Sequence, residues 1–205
     1  MSRIKDGKTR TFEYSAEKLA ASLKLRRELK AASITRADVA RSLAPGHMWW
    51  DGQDRLGRPV LCVRPAGMDL STYDTDEYLR AHVYLIEEGL AIMRRRAREG
   101  HAPKESFVMV VDASGLGFKH LDMKLMRGML ALAMTAYPDR LGAAVIAPVN
   151  MVVRSAWAVL SKLMSPNMAS KITLGKSLRP LLADILPGDA EARLRDILHK
   201  LQGER

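Results

Sequence analysis

The chain has one cysteine, Cys62, and aromatic residues make up only 5% of its 205 residues. A lone cysteine excludes an internal disulfide and makes a structural zinc cage implausible, and it fits a reducing compartment. Cys62 stands in Pro59-Val60-Leu61-Cys62-Val63 and reads as a small buried side chain rather than a reactive thiol. No apolar run approaches the roughly 18 residues of a membrane-spanning helix. The closest, residues 141–153, is broken by Pro148 and Asn150. The opening Met1-Ser2-Arg3-Ile4-Lys5 lacks the apolar core of a signal peptide. These absences together predict a soluble, cytoplasmic protein.

Catalytic signatures are also missing. The histidines (His47, His82, His101, His120 and His199) are scattered, with no i, i+4 pair to hold a metal. No nucleophile elbow or paired-carboxylate spacing occurs. Gly115-Leu116-Gly117-Phe118-Lys119-His120 follows a predicted strand and precedes a helix, as a dinucleotide loop would. His120 stands where that loop needs its third glycine, so the segment reads as a turn. The sequence therefore predicts no enzyme, no metal and no cofactor. The net charge of +10 is concentrated early: residues 1–45 hold 11 Lys/Arg against 5 Asp/Glu. Such a segment can contact anionic lipid or nucleic acid, or be a solvated helix surface. Without interleaved aromatics or a recognisable nucleic-acid module, nucleic acid is not expected as a partner.

What is present alternates between strand and helix. Residues 1–14 are polar and read as weakly ordered. Leu19, Leu23, Leu25 and Leu29 recur near the helical period, with Ser15 as the expected cap, and a short helix ends near Leu43. Residues 49–59 are dense in turn formers and lead into a strand over 59–64. Residues 75–98 predict a long helix whose basic end opposes the macrodipole. Apolar runs at 107–112 and 141–149 predict strands buried on both faces, and 170–174 a short last strand. Helices are expected over 121–136, 152–164, 178–186 and 189–202. This order implies an α/β sandwich with a largely parallel sheet. The division expected is an N-terminal helical segment over 1–45 and one domain over 46–205. Right-handed crossovers would gather the long helices on one face, and the other face then needs a cover.

Two features bear on function. Several of the twelve methionines cluster, with Met123, Met126, Met129 and Met134 on one helix and Met151, Met164 and Met168 around the next. Methionine is flexible and polarizable, so it suits either ordinary core filling or a cavity for variable apolar guests. The stretch 137–171 joins Tyr137-Pro138-Asp139-Arg140-Leu141-Gly142, an apolar strand, and a helix with few charges. Val152, Val153, Ala156, Trp157, Leu160, Leu163 and Met164 make a broad apolar face there, against the polar Arg154, Ser161 and Lys162.

Four segments in order then resemble the CRAL-TRIO lipid-binding family. Asp54-Arg55-Leu56-Gly57-Arg58-Pro59-Val60 is similar to the family's D-x-x-G-R-P-V. Val110-Val111-Asp112-Ala113-Ser114-Gly115 resembles its strand ending in D-x-S-G. Residues 137–142 are similar to Y-P-E-R-L-G, and Trp157, Ser165-Pro166 and Lys171-Ile172 stand at the offsets of W…D-P…K-I. The resemblance spans roughly residues 50–187. It implies a non-enzymatic protein that binds and transfers or presents one lipid, with a mostly parallel sheet bearing helices on one face and a helical gate over an apolar cavity on the other. The gate would lie within 150–168. Cavity and gate residues implied are Phe107, Met109, Met126, Met129, Ala133, Met151, Val152, Val153, Ala156, Trp157, Leu160, Leu163, Met164 and Met168. Phosphatidylinositol-binding members hold the headgroup with residues matching Arg10, Asp139 and Lys171, each of which can equally be a plain surface charge. Partners implied are a bound lipid and transient contact with an anionic membrane surface, with a protein partner also open.

Three departures matter. Pro148-Val149-Asn150-Met151 replaces the family's N-A-P-aromatic, Asp139 is one methylene shorter than Glu, and Met168 replaces a threonine. Positions where some members contact choline lipid are Phe107, Met109 and Ala133; being apolar, they argue against phosphatidylcholine and suit a terpenoid or sterol. The rival expectation is a protein-interaction module of the same fold without cargo.

Overall fold

The computed structural model describes residues 3–5, 8–187, 196–197 and 199–200, with side chains from residue 11 onward within those ranges. In chain order the elements are β1 (Arg3–Lys5), β2 (Lys8–Arg10), α1 (Phe12–Glu28), α2 (Ala40–Leu43), β3 (Met48–Gln53), β4 (Pro59–Val63), α3 (Thr75–Arg98) and β5 (Phe107–Asp112). There follow α4 (Met123–Ala131), β6 (Leu141–Ala147), α5 (Met151–Leu160), α6 (Pro166–Ala169), β7 (Ile172–Leu174) and α7 (Leu178–Ile185). The helix expected over 189–202 lies largely outside the described residues.

β3 to β7 form one sheet in the order β3-β4-β5-β6-β7. β4 to β7 run parallel, and β3 pairs antiparallel on the edge. The predicted α/β class with a largely parallel sheet is therefore observed. All five residues of β4 are buried, as a strand covered on both faces requires. One face carries Val60, Cys62, Val108, Val110, Val145 and Ala147 against Leu178, Leu182 and Leu186 of the α7 region and against Ile197. The other carries Leu61, Val63, Phe107 and Ala144 against α3 and α4, with Leu25 and Leu29 of α1 at its margin. The segment expected to cover the far face contributes Met164 and Met168 to this same cluster, beside α3 and α4. α7 covers the far face instead, because Leu178, Leu182 and Leu186 recur at i, i+4, i+8 and supply the apolar stripe that face needs.

Four local features differ from the sequence expectation. The first 14 residues are not featureless: β1 and β2 pair antiparallel. α1 begins before Ser15 because Thr11, in extended conformation, accepts from Tyr14 N at 3.2 Å and caps it. β3 lies in the stretch read as turns; it forms because Trp49 and Trp50 alternate, one packing toward each sheet face. The 121–136 helix changes to a π turn at Leu132–Ala136.

The family-like segments do much of the structural work. Asp54 Oδ1 accepts from Leu56 N at 3.0 Å and Arg58 N at 2.7 Å, while Oδ2 holds Arg58 Nε at 2.7 Å. Gly57 closes this turn at φ +77°, where a side chain would be strained. Arg55 Nη2 reaches Ala183 O at 2.6 Å and so ties the turn to α7. After β5, Asp112 accepts from Ser114 N at 2.9 Å and directs the chain off the sheet. The Gly115–His120 segment is a turn, with Phe118–His120 as a single tight coil. Cys62 is fully buried, as expected.

Candidate functional site

A central strand in a covered sheet ordinarily loses all contact with water. Part of this sheet does not. On the face shared with α3 and α4, Leu61, Met109, Ala144 and Ile172 form one cross-strand row, and Val63, Val111, Ile146 and Leu174 the next. Met109 and Val111 on β5, Ile146 on β6, and Ile172 and Leu174 on β7 are only half-buried. The sheet thus keeps an apolar strip that its own helices do not seal. Phe107, at the start of the strip, is fully packed, in edge contact with Trp50 at 5.5 Å between ring centroids.

α4 and the 150–168 segment border this strip. Met126, Met129 and Ala133 are half-buried, and Met129 and Ala133 lie against the same core cluster as Met109, Met164 and Ile172. In α5, Val152, Val153 and Ala156 face inward, while Trp157 and Leu160 are half-buried. Met164 is half-buried and Met168 buried. Met151 and Leu163 point outward, 74% and 49% exposed, and so sit apart from the inner face. The altered segment before α5 retains a helix cap: Asn150 Oδ1 accepts from Val153 N at 3.0 Å, and its Nδ2 donates to Leu116 O at 3.0 Å. This anchors the start of α5 to the turn after β5.

Of the three headgroup candidates, two come together across 32 positions of sequence. Lys171 Nζ lies 3.3 Å from Asp139 Oδ1. Asp139 sits at φ +60° in the turn before β6, a left-handed conformation that Asp tolerates better than most residues. Lys171 immediately precedes β7, and its carbonyl accepts from Ala144 N at 2.8 Å. The pair therefore stands at one end of the apolar strip, where β6 and β7 begin. The Lys171 side chain is largely enclosed, and the Asp139 side chain is about half exposed. Arg10 ends β2 directly before α1; its side chain lies outside the described residues.

A second polar cluster escaped the sequence reading. Glu87 on α3 accepts from Arg26 Nη2 at 2.6 Å and from Tyr137 OH at 2.8 Å, with Arg26 stacked over the Tyr137 ring at 5.2 Å. Ser22 Oγ donates to Ala136 O at 2.6 Å beside it. Burial, with Glu87 beside it, pushes the Tyr137 hydroxyl far above its ordinary value. The Tyr137 of the Y-P-D motif thus bolts α1 to the end of α4 rather than lining the strip. Its partners lie 50 and more positions away, so no local pattern reveals them.

The mixed α/β fold thus carries a half-sealed apolar strip on one sheet face, with an ion pair at its end. Residues 43–187 match the model of the CRAL/TRIO domain, and the chain belongs to that family. The fold is one that lipid-binding and lipid-transfer proteins use. The chain is 28% identical over 178 residues to "Protein real-time" of Anopheles gambiae, covering 79% of this chain and 26% of that protein. It is 21% identical over 150 residues to a CRAL-TRIO domain-containing protein of Schizosaccharomyces pombe, covering 73% of this chain and 32% of the relative. It spans only about a fifth to a third of the curated relatives' length. Among solved structures, Sfh5 superposes with a TM-score of 0.65 at 15% identity, covering 84% of this chain and 65% of that one. Among the described residues, no helix is long and apolar enough to cross a membrane, and no group of three or more metal-ligating side chains occurs.

Proposed function

We propose that this protein binds a single lipid, a phosphatidylinositol-type phospholipid, and transfers it between membranes or presents it there. The observation that carries the reading is the half-buried apolar strip with the Asp139–Lys171 pair at its end. Acyl chains would lie along Met109, Met126, Met129, Ala133 and Met164, each buried methylene contributing about 0.8 kcal/mol. The Lys171 ammonium neutralises a phosphate, and Asp139 accepts from inositol hydroxyls; Arg10 is the third headgroup contact. Residues 150–168 form the gate whose opening at a membrane controls exchange. Charge supports this assignment: residues 140–183 hold six Lys/Arg and no acidic residue. The outward side chains Met151, Val159 and Leu163 would meet the lipid surface with Arg154 and Lys162.

A second reading keeps the carrier and changes its cargo. The apolar Met109 and Ala133 favour a terpenoid or sterol, which needs no headgroup site. Uptake from vesicles separates the two. Lys171→Ala should reduce uptake of phosphatidylinositol on the order of ten-fold or more, the loss of one charge-assisted contact, and leave sterol uptake unchanged. Equal phosphatidylinositol uptake by both proteins removes the headgroup assignment.

A further inference from the structure

α1 carries two apolar stripes, and the folded domain uses one. Leu25 and Leu29, beside the buried Ser22, pack on the body. Phe12, Ala16, Leu19 and Leu23 recur at i, i+4, i+7 and i+11 and so run down another side of the helix. Phe12 is 84% exposed, Leu19 59% and Leu23 40%. Single exposed apolar residues are ordinary on a protein surface, but three large ones in line are a contact surface.

Directly before Phe12, the antiparallel register sets Arg3 opposite Arg10 and Lys5 opposite Lys8. Strand positions alternate between faces, so these four cationic positions share one face of the ribbon and Ile4 and Thr9 the other. Residues 1–10 carry four Lys/Arg against one Asp, a charge that an anionic surface offsets. A soluble polyanion would satisfy the cations and leave Phe12, Leu19 and Leu23 in water. A second copy of this chain would cover the stripe while bringing a further +10 of charge. An anionic bilayer answers both features, because its headgroups take the cations and its interfacial layer takes the apolar stripe.

We propose that Arg3, Lys5 and Lys8 of the β1–β2 ribbon and the outward stripe of α1 dock this protein on an anionic phospholipid bilayer, at a surface separate from the gate. The docking holds the molecule at the membrane whether or not the cavity is loaded.

Co-sedimentation of the full chain with vesicles of phosphatidylcholine alone, and of phosphatidylcholine mixed with phosphatidylserine, tests this. Two variants are compared with the wild type: Phe12→Glu/Leu19→Glu, and Arg3→Gln/Lys5→Gln/Lys8→Gln, which leaves Arg10 to its headgroup role. The wild type should partition onto the phosphatidylserine vesicles. The charge variant should bind on the order of a hundred-fold more weakly, at about five-fold per cation, and the apolar variant should also lose binding. Wild type showing no preference for phosphatidylserine overturns the proposal, as do variants that bind like wild type. Self-association of the wild type that Phe12→Glu/Leu19→Glu abolishes, with vesicle binding unchanged, assigns the stripe to a second copy instead. Native mass spectra of the same variants read the cavity separately. Lost docking with retained lipid leaves the carrier reading standing, and intact docking without any lipid does the reverse.

Discussion

Asp122 joins the start of α4 to the start of α3. It caps α4 by accepting from Lys124 N at 2.7 Å and Leu125 N at 3.0 Å, and it also accepts from Tyr73 OH at 2.7 Å and Thr75 Oγ1 at 2.6 Å. Burial pushes its carboxyl up, but the hydrogen bonds from Thr75, Tyr73, Leu125 and Lys124 outweigh that and hold its pKa at about 2. A depressed carboxylate stabilises the fold above its unfolded value of about 4, and that contribution is lost as pH falls toward 2. Asp122→Asn should therefore cost on the order of 1–2 kcal/mol at pH 7, with the gap to wild type closing in melts at pH 3 and below. A gap independent of pH would contradict this account of the carboxylate.

Glycine makes a sharper test of packing against propensity. A methyl group on Gly89, in the middle of α3, would overlap the Trp50 ring, which is fixed by donation from its Nε1 to Leu85 O at 3.1 Å. On Gly128 in α4 it would meet only the Leu79 methyls, at 2.9 and 3.0 Å. Alanine favours a helix over glycine by about 1 kcal/mol at either site. Gly89→Ala should nevertheless destabilise by roughly 1–3 kcal/mol through overpacking, while Gly128→Ala stays near neutral. Urea unfolding of the two variants decides; equal effects would mean that Trp50 moves aside freely.

At the scale of elements, the attachment of α1 rests on few groups. Glu87 receives both Arg26 and Tyr137, and both Arg26 and Glu87 side chains are largely enclosed. Removing one member of an enclosed pair strands the other, at a cost of about 3 kcal/mol. Glu87→Ala should loosen α1 selectively, seen as faster amide exchange over residues 12–28 with the sheet unchanged. Uniform destabilisation would place Glu87 in the global core instead.

The elements differ in how legible they were. β5 and β6 announce themselves as unbroken apolar runs because one face packs under α7 and the other carries the apolar strip. β3 does not, because Asp51, Gly52 and Gln53 read as a turn while its two tryptophans pack to opposite sides. The α1 leucines form a helical repeat, yet the repeat cannot say which stripe is docked; Leu25 and Leu29 are, and Leu19 and Leu23 face outward. Asp139 and Lys171 stand out in the sequence only through motif likeness, and their ion pair is not legible there. The Arg26–Glu87–Tyr137 cluster was not foreseen at all, since it joins three elements that only the fold brings together.

For the whole molecule, membership of the CRAL/TRIO family fixes the architecture and leaves the cargo to the site. The proposed function puts lipid along the strip on the α3–α4 face of the sheet, with its polar end at Asp139 and Lys171. Native mass spectrometry of the purified full chain, followed by organic extraction, tests this most directly. A single phosphoinositide bound at one per chain, lost on mild activation, is the result predicted. Protein that carries no lipid and takes none up from phosphatidylinositol vesicles would contradict the account and mark the fold as a protein-interaction module.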